Sequence, residues 1–238
     1  MSGHSKWSTI KRKKEKTDSQ RAAVFTKIGR ELSVAVKESG ADPDANFKLR
    51  DCIAKAKASN VPNDNIERII KKAAGSDAEE YESITYEGYG PSGVAIIVET
   101  LTDNRNRTAA NIRHYFSKCG GNLGTTGCVS FMFSKQGMFV IDSATAQKDQ
   151  LEEDAIMAGA TDFKEGEDCF IIYTEPADYE NIYQYLKDKK YEIITSEIGM
   201  IPNNYTSLSE EESAKVQTLF DVLEDDDDVQ NVYHNLAE

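Results

Sequence analysis

Apolar residues recur every four positions from Val24 through Ile28 and Leu32 to Val36, an interval that lays a single stripe along a helix. The stripe predicts a helix from about Asp18 to Ser39 that stops at Gly40. Leu49, Cys52, Ile53 and Ala56 then fall at i, i+3, i+4 and i+7, and Asp42-Pro43-Asp44 ahead of them is a helix-start signal. A third pattern opens near Pro62 and Asp64. It buries Ile66, Ile69, Ile70 and Ala73 and ends at Gly75, with Lys71 and Lys72 placed against the negative end of the helix dipole. Three short amphipathic helices with tight turns predict a small bundle. Ser2 to Lys16, ahead of them, has no periodicity and reads as a basic arm.

Beyond the acidic, polar linker Ser76 to Glu82 the period becomes two. Ile84 to Tyr89 and Val94 to Leu101 are expected strands joined at the turn cluster Gly88 to Gly93. Thr108 to Cys119 is an expected helix with Ile112, Tyr115 and Phe116 on one side. The glycines at 120, 121, 124 and 127 then lead to an expected strand Val129 to Phe133. From Gly137 to Glu197 the elements are strand Met138 to Ile141, helix Lys148 to Ala158, strands Thr161 to Lys164 and Cys169 to Tyr173, helix Tyr179 to Asp188 and strand Glu192 to Ser196. That order is βαββαβ, the ferredoxin-like plan. A last helix carries Val216, Leu219, Phe220 and Leu223, and a last strand runs from Val229 to Tyr233. The unit at 94–133 needs a second half, which these two elements supply if the module between them is an insertion. The chain is therefore expected to be α+β and multidomain. An arm and three-helix bundle occupy 1–75, a discontinuous α+β domain occupies 76–136 and 198–238, and a second α+β domain at 137–197 is inserted in it, both α+β domains following the βαββαβ plan.

Charge changes the picture more than composition does. Residues 1–75 carry 17 Lys+Arg against 9 Asp+Glu, and residues 76–238 carry 11 against 32, so the formal net of −13 conceals a cationic head on an acidic body. Phosphate attracts such a head and repels the rest, which points to a polyanion docked at one end. Hydrophobic residues make up 39% of the chain, enough to build cores. Met1 to Lys16 has no apolar run after its basic residues, and no stretch approaches the roughly 18 apolar residues of a membrane span. A cytoplasmic protein without a membrane partner is expected. Cys52, Cys119, Cys128 and Cys169 lack CxxC spacing and fit reduced, mostly buried thiols.

The candidate contacts follow from that polarity. Lys6, Lys11, Arg12, Lys13, Lys14 and Lys16 crowd the arm with Glu15 as the one acid among them, and Arg21, Lys27 and Arg30 extend the patch along the first helix. Trp7, the single tryptophan, either stacks on an exposed base, worth about 1–3 kcal/mol, or folds back as an anchor on the bundle. His4, beside Lys6, is placed to bond phosphate or a 2′-hydroxyl. Asp103 to Arg107 joins a strand to a helix. There Arg105 and Arg107 form a second anion site, or else Asp103 or Asn106 caps the helix and the arginines pair with acids of the body. Glu224 to Asp228 puts five acids at the C-terminal end of a helix, where the dipole disfavours them. Either a basic partner offsets the repulsion, the chain's own head or a ribosomal protein, or the run is an exposed acidic turn. His4, His114 and His234 have no Cys or acid at ligand spacing, the glycine loop lacks a GK[ST] ending, and no nucleophile with its base can be nominated. No metal, no cofactor and no catalysis are expected.

Gly3-His4-Ser5-Lys6-Trp7, Phe25-Thr26-Lys27, Asp42-Pro43-Asp44-Ala45-Asn46 and Leu49-Arg50 resemble the start of YebC family proteins. The resemblance continues through Tyr86-Glu87-Gly88-Tyr89-Gly90-Pro91, Thr102 to Thr108, Lys118 to Gly124, Ile201-Pro202, and Asp227 to Gln230 with Val232-Tyr233. Ser92 stands where the family's turn has a second glycine, and the stretch 137–197 carries little of its signature. The resemblance implies a three-domain protein of bacterial cytoplasm or mitochondria, with a helical head, two α+β domains and no known catalytic activity. It also implies a role in gene expression, since family members have been described as DNA-binding transcriptional regulators and relatives act on protein synthesis at the ribosome. The acidic body cannot coat a duplex and the arm suits a narrow RNA cavity, so ribosomal RNA is the expected partner. A DNA-binding transcriptional regulator is the alternative, opposed by the absence of a glycine turn between the head helices and of any sign of a dimer with half-site spacing. A monomer is expected.

Overall fold

The computed structural model describes residues 18–75, 79–166 and 168–237, which form seven helices and two four-stranded antiparallel sheets. No helix among the described residues is long and apolar enough to cross a membrane. They fall into two compact units, one of 18–128 with Glu210–Val232, the other of Val129–Ser209 with 233–237.

The first unit begins with the three predicted helices, α1 (Asp18–Ser39), α2 (Phe47–Ala58) and α3 (Asn63–Ala73). Their stripes converge on a core of Ile28, Leu32, Ala35, Val36, Leu49, Cys52, Ala56, Val61, Ile66 and Ala73. The start of α2 differs from expectation by a few residues. Asp42 receives the Asp44 N–H in a local turn, and the cap is Asn46, which is 2% exposed. Its Oδ1 accepts from the Leu49 N–H at 3.0 Å, while its Nδ2 donates to the carbonyls of Ala35 and Gly40 at 2.8 Å each. An aspartate could cap α2 but has no N–H to satisfy the carbonyls that α1 leaves open. One amide thus closes one helix and opens the next.

The sheet of this unit has the order β3-β1-β2-β8, from β1 (Glu82–Tyr89), β2 (Ala95–Thr102), β3 (Asn122–Leu123) and β8 (Val229–His234). β1 and β2 form an antiparallel hairpin in the register Glu82↔Thr102 to Tyr89↔Ala95. Two further helices bury apolar stripes in this unit, α4 (Arg105–Lys118) through Ile112 and Phe116, and α7 (Glu210–Glu224) through Val216, Leu219, Phe220 and Leu223. The chain order is strand, strand, helix, strand, then helix and strand from the C-terminal segment, which corrects the βαββαβ plan expected for this sheet. Of the strand expected at Val129 to Phe133, Ser130–Met132 instead form a short 3₁₀ turn. The second partner of β1 lies in the glycine segment, because Gly88 and Gly121 let two backbones meet: a Cβ on Gly88 would stand 2.6 Å from the Asn122 carbonyl oxygen, and one on Gly121 would stand 2.7 Å from that of Tyr89. The buried carboxylate of Glu87 accepts the Gly127 N–H at 2.8 Å and fixes the end of the segment.

In the second unit the βαββαβ order is present as β4 (Phe133–Asp142), α5 (Lys148–Ala158), β5 (Asp162–Glu165), β6 (Cys169–Thr174), α6 (Tyr179–Asp188) and β7 (Ile193–Pro202), with sheet order β5-β6-β4-β7. β4 opens before residue 137 and β7 continues past 197, so the outer strands are longer than their apolar centres suggest. Met138, Val140, Cys169, Ile171 and Tyr173 share one sheet face; Phe139, on the other, stacks on Tyr179 of α6 with ring centroids 4.8 Å apart.

Candidate nucleic-acid interface

Two of the predicted contact residues meet at one buried carboxylate. Asp228 sits between α7 and β8 with its side chain only 4% exposed. Arg30, from the head helix α1, donates to its Oδ1 at 2.5 Å, and the same nitrogen reaches the carbonyls of Leu101 at 2.9 Å and Asp227 at 2.8 Å. Arg107, one turn into α4, donates to both Asp228 oxygens at 2.9 Å and to Asp103 at 2.7 Å. Thr108 adds a hydroxyl at 2.6 Å and Thr102 another at 3.3 Å. Burial works against the charged form of Asp228, but the bonds from Thr108, Arg107 and Arg30 outweigh it and hold the carboxyl below the usual range. The same two carboxylates hold the Arg107 guanidinium well above its ordinary value.

Lys27, one turn before Arg30 on α1, donates to the carbonyl of Glu224 at the end of α7, where that helix leaves orphan acceptors. Asp226 accepts from Tyr115 at 2.9 Å and Asn111 at 3.2 Å. The acidic run is therefore met from the chain's own head and α4, one of the two partners considered for it. The cap of α4 is Asn104, whose Oδ1 accepts the Arg107 N–H at 3.1 Å. Around this cluster lies a polar hollow of about 420 Å³ walled by Arg30, Asp103, Arg107, Asn111 and Asp225 to Asp228.

The cations most open to a ligand lie elsewhere. His4, Lys6, Trp7, Lys11, Arg12, Lys13, Lys14 and Lys16 fall outside the described residues, and of Arg21 only its place on α1 is described. Lys48 and Lys55 pair with Glu38 and Glu31, and Lys72 with Glu79. Among the described residues Lys57 on α2 and Lys71 on α3 are exposed and make no ion pair, and Arg68 on α3 reaches only Asn65, at 3.3 Å. Arg105 holds Glu82 at 3.4 Å with its side chain 70% exposed, a surface pair worth about 0–1 kcal/mol. The joint between α2 and α3 is also informative. It is the four-residue turn Ser59-Asn60-Val61-Pro62, with Asn60 at φ 59°, so the left-handed position often given to glycine is filled by asparagine.

The sequence reading missed Asp228 as the hub, and Lys57, Arg68 and Lys71 as head cations without an acidic partner among the described residues. The first left a trace: Thr102 to Thr108 and Asp227-Asp228, singled out as separate motifs, are the two halves of one cluster. The second had none, because whether a surface lysine is paired depends on which acid the fold brings beside it.

The model of the TACO1/YebC protein N-terminal domain matches residues 5–76, and that of the TACO1/YebC second and third domain matches residues 81–236. The chain is 52% identical over 241 residues to a probable transcriptional regulatory protein of Clostridium botulinum (strain Okra / Type B1), covering 99% of this chain and 96% of that one. It is 53% identical over 238 residues to a protein of the same description from Acetivibrio thermocellus, covering 99% and 98%. The crystal structure of the conserved hypothetical protein Aq1575 from Aquifex aeolicus is similar with a TM-score of 0.84 at 41% identity, over 93% of this chain and 92% of that one.

Proposed function

The chain belongs to the TACO1/YebC family, a family of regulatory proteins and not of enzymes, and on that premise we propose that it regulates gene expression by binding ribosomal RNA through its helical head. The supporting observation is the division of labour among cations. Lys27, Arg30 and Arg107 hold the first unit together, whereas Lys57, Arg68 and Lys71 face outward without an acidic partner among the described residues. Six further cations stand in the sequence between Lys6 and Lys16. An acidic body behind such a head restricts contact to one end, which suits a cavity in structured RNA better than an open duplex.

A second reading, binding to duplex DNA, is favoured by the four-residue turn between α2 and α3, which resembles a helix-turn-helix joint. Against it, α3 presents Asp64 and Glu67 on its exposed side, and carboxylates there oppose entry into a groove between phosphates. The relatives' description as transcriptional regulatory proteins is in keeping with this reading.

Sedimentation of cell extract on a sucrose gradient separates the two. The RNA reading expects co-migration with the large ribosomal subunit that survives DNA digestion, and loss of the protein from that fraction only after DNA digestion refutes it. With about five phosphates neutralised, log K should fall with log salt at a slope near −3.5 on single strands and near −4.5 on B-DNA. Removing residues 1–16 should flatten either slope.

A further inference from the structure

We propose that the outward face of α4 is a second phosphate-binding surface, which holds the backbone of the same RNA that the head engages. The inference rests on the head-binding reading and extends it to a site on the acidic body. α4 is anomalous for where it lies. Of the 11 Lys+Arg in residues 76–238, four (Arg105, Arg107, Arg113 and Lys118) fall within these 14 residues, which contain no Asp or Glu, although the same segment holds 32 acids elsewhere.

The helix divides its sides cleanly. Thr108, Ile112 and Phe116 face the core, and Arg107, Asn111 and Tyr115 are tied to Asp226 and Asp228. What remains is an exposed strip of Ala110, His114 and Ser117, spaced i, i+4 and i+7, with Arg113 on one border and Lys118 on the other. Among the described residues Arg113 and Lys118 form no ion pair and no hydrogen bond. A face that served only for solubility would be expected to mix both signs, as the rest of this acidic surface does with its Lys–Glu pairs. Here the centre of the strip is small or polar, so a phosphodiester can approach between the Arg113 guanidinium and the Lys118 ammonium.

The Asp228 cluster makes the two surfaces one instrument. Arg30 of the head and Arg107 of α4 grip the same carboxylate, so the orientation of α1 relative to α4 is fixed within this unit before any ligand arrives. RNA held by the head then meets α4 at a high effective concentration, which raises avidity without strengthening either contact.

The experiment uses the full chain as wild type, as Arg113→Gln/Lys118→Gln, as the charge-preserving Arg113→Lys/Lys118→Arg, and as the head variant Lys57→Gln/Arg68→Gln/Lys71→Gln. Each is titrated against fluorescein-labelled single-stranded RNA by anisotropy from about 50 to about 200 mM salt. The α4 neutralisation should make the salt slope shallower by about 1.4, from about 0.7 for each of two phosphates, and weaken binding roughly tenfold at the lowest salt, with the charge-preserving variant restoring both. If the neutralised α4 variant matches wild type while the head variant loses affinity, the α4 surface is refuted and the head reading stands. If wild type binds neither RNA nor DNA, both fall. If the variant loses duplex DNA binding alone, or loses retention on immobilised polyglutamate with RNA binding intact, the RNA assignment of this face is overturned in favour of DNA or an acidic protein.

Discussion

Replacing Asp228 with asparagine keeps the shape of the side chain and removes the charge on which two arginines converge. In the wild-type protein the carboxylate is 4% exposed and accepts from Arg30 at 2.5 Å, Arg107 at 2.9 Å and Thr108 at 2.6 Å. Breaking a buried pair by removing one partner costs about 3–5 kcal/mol because the other charge is stranded. Two features reduce that here. Arg107 is 44% exposed and keeps Asp103, so its share is that of a surface pair, about 0–1 kcal/mol. Arg30 is 13% exposed but keeps the carbonyls of Leu101 and Asp227. The expected loss for Asp228→Asn is therefore about 2–4 kcal/mol, read as a fall in the urea midpoint by circular dichroism. The stranded charge supplies most of it, so Arg30→Met in the Asp228→Asn background should cost less than Arg30→Met alone. A loss below about 1 kcal/mol, or strict additivity of the two changes, would refute this account. The acid limb gives a second check. The folded carboxyl is held below its unfolded value of about 3.9, so its contribution is present above that pH and disappears as pH falls through the folded value. Asp228→Asn should lack that limb.

Two further outcomes are expected. In the second unit the Tyr191 hydroxyl at 2.6 Å and Lys189 at 2.9 Å hold the buried Asp154 carboxyl down to about 2, so its stabilisation is complete above about pH 4 and lost as pH falls towards 2; Tyr191→Phe should cost about 1–3 kcal/mol and move the Asp154 midpoint upward in a carbon-13 NMR titration, and an unmoved midpoint would show that the tyrosine is not responsible. Ser92 occupies the left-handed region at φ 56°, which disfavours a side chain by about 1–2 kcal/mol. Ser92→Gly relieves that strain, offset by about 0.4–1 kcal/mol of added freedom in the unfolded chain and by loss of the exposed hydroxyl bond to Glu212 at 3.0 Å, so Tm should stay within roughly 3 °C of wild type; a larger fall would refute it.

The contrast between these residues shows what a one-dimensional pattern carries. Ser92 was visible only through the family resemblance, as a departure from the glycine expected in that turn, and its left-handed backbone bears out that the position makes a local dihedral demand. Asp154 was hidden. It stands on the buried side of α5 beside Leu151 and Ala155, and an acid on an apolar stripe signals a buried partner without naming Tyr191 or Lys189, which lie just past the end of the following helix. The glycine segment misled for a related reason: its composition reads as loop, while its use is to let Asn122 and Leu123 pair with β1.

The helices α1, α5 and α6 begin and end where apolar spacing places them, and the polarity of charge between residues 1–75 and the remainder is a property of composition alone. Such features depend on neighbours within a few positions, so the sequence by itself determines them. Which cations remain for a ligand is different. Lys27, Arg30, Arg105 and Arg107 look alike in sequence, yet three of them are held by acceptors at 224–228 and the fourth is left near the surface, with Arg113 and Lys118 exposed farther along its helix. Those acceptors lie more than a hundred residues away, and an ion pair depends on distance in space, so only the tertiary structure decided which charges the fold consumes and which it presents.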